Sequence, residues 1–125
     1  MRVLIAGGGP SGATLAALLA EQGWTVTLAD VLPSPSRNAY SSAALPLAEA
    51  DRLHIPHHCR SAPWCGWQLL DPAGLEHQWW AGDPLGVVLD FAAFRSHLWR
   101  RVQRAGAELL CGWRVSLQQL QATSA

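Results

Sequence analysis

The sequence contains no lysine. Its nine basic residues are all arginine and are matched by nine acids, for a formal net charge of zero. The missing lysine has no functional reading, but the charge balance does. No net field draws this chain to nucleic acid or to an anionic membrane. Long apolar runs are also lacking, which excludes a membrane-spanning helix. Met1–Arg2 followed by an apolar stretch mimics a secretory signal, yet three glycines and Pro10 interrupt the helix a signal needs, so no signal peptide is expected. The expected compartment is the cytoplasm. Cysteine is scarce and odd in number: Cys59, Cys65 and Cys111 lack the spacing of a disulfide framework. They are expected to be reduced and mostly buried as small hydrophobes. What is present is apolar: half of the 125 residues, enough for one modest domain with a core and too many for a disordered chain.

Residues 2–6 form a short β-branched run that ends in glycines, the pattern of a fully buried parallel strand. From Ser11 to Gln22 alanine and leucine dominate, which predicts a helix, and Gly23 follows where a helix end favours positive φ. Trp24 to Asp30 reads as a second strand. Proline and serine mark 31–37 as a loop. A short helix is predicted over 45–54, with Pro46 tolerated in its first turn. Asp71-Pro72-Ala73-Gly74 is a turn sequence, so Trp67–Leu70 and Leu75–Trp80 predict an antiparallel hairpin. Asp90 is placed to cap a helix running to about Ala105. Its apolar face is Phe94, Leu98, Val102 and Ala105, and its arginines (Arg95, Arg100, Arg101, Arg104) form a solvated face. Gly106 ends it, and 107–113 reads as a third parallel strand. No internal repeat and no interdomain linker is evident.

The turn after the first strand, Gly7-Gly8-Gly9-Pro10-Ser11-Gly12, satisfies G-x-G-x-x-G. Gly7 permits the tight turn, Gly9 lets a pyrophosphate approach the backbone, and Gly12 lets the helix pack on the strand. The helix start offers unpaired N–H groups and partial positive charge to the phosphates. The motif alone is weak, but here it follows a strand, opens a helix and lies in a βαβ frame. Asp30 ends the second strand, 18 residues after Gly12, where a carboxylate reaches both adenosine ribose hydroxyls and repels the 2′-phosphate of NADP.

With those residues in place, the sequence resembles the N-terminal part of FAD-dependent oxidoreductases of the glutathione-reductase superfamily. The likeness is to the branch with aromatic-ring hydroxylases, geranylgeranyl reductases and tryptophan-halogenase-like flavoproteins. Ala16 and Gly23 extend the glycine motif as in that family. Leu89-Asp90-Phe91-Ala92-Ala93-Phe94-Arg95-Ser96-His97-Leu98, followed by a helix ending in Ala105-Gly106, matches a second segment. The resemblance covers about residues 1–115 and is most specific over the first 30. Two positions depart from it: Phe91 stands where many relatives have an arginine near the cofactor, and Ser42-Ala43-Ala44 stands for a Gly-Glu-Ser segment ahead of Leu45-Pro46. Such enzymes are about three times longer, and their second glycine–aspartate motif would follow residue 125.

The resemblance implies an incomplete α/β Rossmann-like three-layer FAD/NAD(P)-binding fold over 1–125. Its expected parts are a βαβ unit (1–39), an insertion with a small antiparallel hairpin (40–90), and a helix with the third parallel strand (91–115). It implies FAD as cofactor, NAD(P)H as reductant in a complete enzyme, and an unknown small-molecule substrate. The candidate cofactor-binding residues are Gly7, Gly9, Pro10, Ser11, Gly12, Asp30 and Arg37; no catalytic residue is assignable. It also implies a central first strand with its second and third neighbours on one side. Val3, Leu4 and Ile5 would then line an open edge that invites self-association or a partner chain, beside a glycine loop poorly ordered without ligand. The alternative is a small NAD- or ADP-binding, partner-dependent module without catalysis.

Other clusters carry less. His54, His57, His58 and Cys59, with Cys65 nearby, lack the paired spacing of a zinc site, so no metal is expected. Trp64, Trp67, Trp79 and Trp80 read as core or interface residues, with an aromatic-lined substrate pocket as the other reading. His97, Glu49, Asp51 and Asp83 form no acid–base pair, and Ser41-Ser42 no nucleophile.

Overall fold

The computed structural model describes residues 1–116 and 118–119; residue 117 and residues 120–125, part of the expected 1–125 domain, lie outside the described residues. In chain order the elements are β1 (Arg2–Ala6), α1 (Pro10–Glu21), β2 (Thr25–Asp30), β3 (Leu45–Pro46), α2 (Leu47–Arg52), a 3-10 turn (His57–Cys59), β4 (Arg60–Trp64), β5 (Gly66–Leu70), β6 (Glu76–Trp80), β7 (Gly86–Leu89), α3 (Phe91–Arg104) and β8 (Glu108–Cys111). They divide into two units, Met1–Ala39 with Arg95–Ala125, and Tyr40–Phe94.

The first unit is a parallel sheet of order β1-β2-β8. Its register pairs Val3 with Val26, Ile5 with Leu28, and Leu28 with Leu109. Val26, Leu28 and Ala29 in the middle strand are buried, as are Ala13, Ala16 and Ala17 of α1. Small residues on that face of α1 allow close packing on the sheet, and Gly23 (φ 82°) turns the chain into β2. Arg101 of α3 pairs with Glu21 at the end of α1, 3.1 Å away. β1 is less buried than a central parallel strand: Val3, Leu4 and Ile5 are only half-covered, because among the described residues β1 has a neighbour on one side alone.

The buried stripe of α3 in this unit is Arg95, Leu98, Trp99 and Val102, spaced i, i+3, i+4, i+7. The expected solvated arginine face is therefore wrong at Arg95. Arg95 is 6% exposed and its Nη1 donates to the Arg37 carbonyl at 2.8 Å, which helps offset the burial of charge.

The second unit contains a three-stranded antiparallel sheet, β3-β7-β4, that the sequence reading did not anticipate, and the two-stranded ribbon β5-β6 that it did. Its core is Ala50, Ile55, Cys59, Val87 and Leu89. Pro46 precedes α2 rather than lying in its first turn, since residues 45–46 pair with β7. Asp90 caps α3 as expected, its Oδ1 accepting the Ala93 N–H at 2.9 Å. Of the cysteines only Cys59 is buried; Cys65 is half-buried and Cys111 exposed. The ribbon has no second layer of its own, so Trp67, Trp79 and Trp80 are 50%, 53% and 70% exposed and do not form a core.

The ribbon turn is organised by Asp71, whose Oδ1 accepts the N–H groups of Ala73 and Leu75, both at 2.9 Å. Backbone donation from Leu75, with further help from His77, Ala73 and Gly74, holds the Asp71 carboxyl below its ordinary value. A carboxyl depressed in the folded state adds stability above its unfolded pKa of about 3.9 and loses it as pH falls through the lower folded value. Amide exchange at Ala73 and Leu75 is therefore expected to accelerate, relative to intrinsic rates, as pH drops below about 4, and an Asp71→Ala variant is expected to show no such step.

Candidate dinucleotide site

The site lies where β1 passes through the glycine loop into α1. Gly7 takes φ 104°, a conformation that glycine alone adopts without strain, and its N–H donates to Ala29 O at 2.8 Å. A Cβ on Gly12 would stand 2.0 Å from the Gly7 carbonyl oxygen, so only glycine lets the first turn of α1 sit against the strand end. A Cβ on Gly9 would meet nothing within 4 Å. The space over Gly9 is open.

α1 begins with Gly9 as its cap residue and Pro10 in the first position, with no side-chain cap. The first intrahelical donor is Ala13, bonded to Gly9 O at 2.9 Å. The Ser11 and Gly12 N–H groups ahead of it are thus left to an external acceptor. Together with the helix dipole they suit an anion.

Asp30 is buried at the end of β2. Its Oδ2 accepts the Gly8 N–H at 2.6 Å and its Oδ1 the Leu32 N–H at 2.7 Å. A carboxylate has about four acceptor positions, so two hydroxyl groups could still be received. The glycine loop makes three hydrogen bonds to the rest of its unit: the Gly7 N–H to Ala29 O at 2.8 Å, the Gly8 N–H to Asp30 Oδ2 at 2.6 Å, and the Trp99 indole N–H to Gly8 O at 2.6 Å. Trp99 and the buried Gly8 are the site-forming residues that sequence reasoning missed. The available signal was the i, i+3, i+4, i+7 stripe 95/98/99/102, hidden by the arginine at its head. Gly7, Gly9, Pro10, Ser11, Gly12 and Asp30 are brought together. Arg37 is exposed on the following loop, tied in through its carbonyl rather than its side chain.

The donor set fits the ADP part of a dinucleotide: backbone N–H groups and open space for a pyrophosphate, and an acid with spare acceptor capacity for a ribose diol. Among the described residues, no group of three or more His, Cys, Asp or Glu is placed to hold a metal ion.

A parallel sheet whose first strand–turn–helix–strand unit has this geometry is a Rossmann-like dinucleotide-binding fold. Residues 5–62 match the model of the NAD(P)-binding Rossmann-like domain family. None of the curated proteins matches the sequence. Among solved structures, the chain is similar to a geranylgeranyl bacteriochlorophyll reductase-like protein from Thermoplasma acidophilum. That likeness has 23% identity and TM-score 0.73, over 89% of this chain and 30% of that one. It is similar to the halogenase PltM solved with phloroglucinol and FAD, at 17% identity and TM-score 0.64, over 92% of this chain and 28% of that one. A third is the myxobacterial chondrochloren halogenase, a variant of FAD-dependent halogenases, at 21% identity and TM-score 0.54, over 85% of this chain and 27% of that one. The chain thus has the fold of part of these enzymes and spans less than a third of their length.

Proposed function

We propose that residues 1–39 and 95–116 hold the ADP part of FAD, as the cofactor-binding portion of a flavin-dependent oxidoreductase of monooxygenase, reductase or halogenase type. The observation that carries this reading is the uncapped start of α1 beneath the open space at Gly9. The Gly9, Ser11 and Gly12 N–H groups receive the pyrophosphate, Pro10 fixes the first turn, and Asp30 receives the adenosine ribose hydroxyls. Arg37 supplies a cation on the loop after β2. When bound, FAD supplies the redox chemistry, with NAD(P)H as reductant and a small molecule as substrate. A cytoplasmic location is part of this proposal; Cys59, Cys65 and Cys111 are free thiols, and among the described residues no helix is long and apolar enough to cross a membrane.

The match to an NAD(P)-binding model favours a second reading, a non-catalytic module that binds NAD or ADP and acts with a partner chain. Calorimetric titration of the purified chain with FAD, ADP, NAD and NADP separates the two. FAD and ADP binding with similar affinity, and NADP rejected by Asp30, supports the first; NAD preferred over FAD supports the second. No binding of any of the four would remove both. These 125 residues are further expected to give no NAD(P)H oxidation above that of free FAD, since Phe91 and Ala43 offer no polar group to a flavin. Stimulated oxidation by the isolated chain would overturn that expectation.

A further inference from the structure

The loop contains two adjacent glycines, Gly8 and Gly9, joined by a peptide unit with no Cβ on either side. Such a unit rotates at little steric cost, because glycine occupies positive and negative φ about equally. Its orientation matters to any anion at the site. In a trans peptide the carbonyl and the N–H point in opposite directions, and the chain has no cis peptide bonds. One face of the Gly8–Gly9 unit therefore presents the Gly9 N–H, and the other presents the Gly8 oxygen. Turned one way, the unit donates to a phosphate. Turned the other way, it repels one.

Trp99 decides which way it turns. Trp99 is 3% exposed and its Nε1 donates to Gly8 O at 2.6 Å, drawing the carbonyl inward. The Gly9 N–H must then point away from the buried indole. The preceding peptide is fixed separately, by the Gly8 N–H on Asp30 Oδ2 at 2.6 Å. Gly8 is thus pinned on both sides. A Cβ at Gly8 would lie 2.9 Å from Trp99 Nε1 and 3.1 Å from Asp30 Oδ2, which explains a glycine at a motif position that does not itself require one.

We infer that Trp99 is a positioning residue of the dinucleotide site. It locks the Gly8–Gly9 peptide with the Gly9 N–H turned outward and prevents the flip that would set a carbonyl against the pyrophosphate. This inference rests on the dinucleotide reading above, but the lock itself exists without ligand and is tested without it.

The experiment compares the parent chain with Trp99→Phe, which keeps an aromatic ring and removes the donor. In ligand-free 15N spectra the parent is expected to show a single sharp Gly9 amide. Its Trp99 indole proton should be protected from solvent exchange, unlike those of exposed Trp79 and Trp80. Trp99→Phe is expected to broaden or split the Gly9 amide while amides of the other unit, such as those of β5 and β6, stay in place. Its ADP affinity is expected to fall about five- to tenfold, the worth of one hydrogen bond. An unchanged Gly9 amide in a folded Trp99→Phe variant would overturn the inference. If the variant does not fold, a Trp99 indole proton in the parent that exchanges as fast as that of Trp80 would overturn it. Failure of the parent to bind ADP, with the Gly9 and indole signatures as described, would remove the dinucleotide reading and leave the peptide lock standing.

Discussion

Gly9→Val is expected to fold and melt as the parent does and to lose ADP and FAD binding by a hundredfold or more, roughly 2.8 kcal/mol. The separation follows from where the new side chain goes. The cap residue Gly9 has φ −67° and ψ 179°, ordinary extended backbone that valine adopts freely. A Cβ there would meet no atom within 4 Å beyond its own chain neighbours, so the branch point itself adds no clash with the fold, and the added volume lies at the helix start assigned to the pyrophosphate. Gly12→Ala, three residues on, makes the opposite case: a methyl 2.0 Å from Gly7 O has to displace backbone. Overpacking of that kind costs about 1–3 kcal/mol and should lower Tm by about 4 °C or more. Paired thermal melts and ADP titrations of the two variants check both statements. A Gly9→Val chain with full affinity would place the ligand elsewhere.

This contrast also shows which parts of the site were legible in the sequence. The geometry of Gly7 and Gly12 is local, set by the φ of Gly7 and by a close approach five residues apart, so the motif within its strand–turn–helix frame predicts it. The place of Asp30 was legible for a similar reason: strand length fixes where β2 ends. Trp99 was not. The 95/98/99/102 stripe signals its burial, but its partner Gly8 lies 91 residues away, beyond what local periodicity reveals. Arg95 was misassigned because a charged residue reads as solvent-facing, while the carbonyl that satisfies it belongs to Arg37 on another segment.

The fold divides along the same line. β1, α1, β2, the β5-β6 ribbon, the Asp90 cap and α3 were read to within a residue or two, since glycine, turn and cap residues bound them. The β3-β7-β4 sheet escaped notice. Its strands are short, β4 contains Pro63, and pairing of β4 with β7 joins residues more than 20 apart in sequence, with a register shift between Arg60 and Ala62. Trp67, Trp79 and Trp80 were expected to be covered by their size, yet a ribbon without a facing layer leaves them open.

The largest effect on the behaviour of the isolated chain is expected at the outer edge of β1, where the protein should self-associate at micromolar concentration. On the inner side, Met1 O accepts the Thr25 N–H at 3.0 Å and the Gly7 N–H reaches Ala29 O at 2.8 Å. Backbone groups alternate sides along a strand, so Met1, Val3, Ile5 and Gly7 face β2, and Arg2, Leu4 and Ala6 turn their N–H and C=O groups outward. Unpaired groups on an apolar edge strand are a template for another chain. In the same unit Leu15 and Leu18 of α1 are 48% and 46% exposed, which adds apolar surface for a second copy or a partner chain to cover. Leu4→Pro distinguishes edge pairing from nonspecific stickiness. Proline at position 4 removes an outward N–H and leaves the β2 ladder intact, so the variant should stay folded and sediment as a monomer. Ile5→Pro removes an inward donor and should unfold the unit. Sedimentation of the three chains, with thermal melts alongside, decides the matter. A parent that is monomeric and melts sharply above about 60 °C, the upper range of ordinary mesophile domains, would mean that the edge needs no partner.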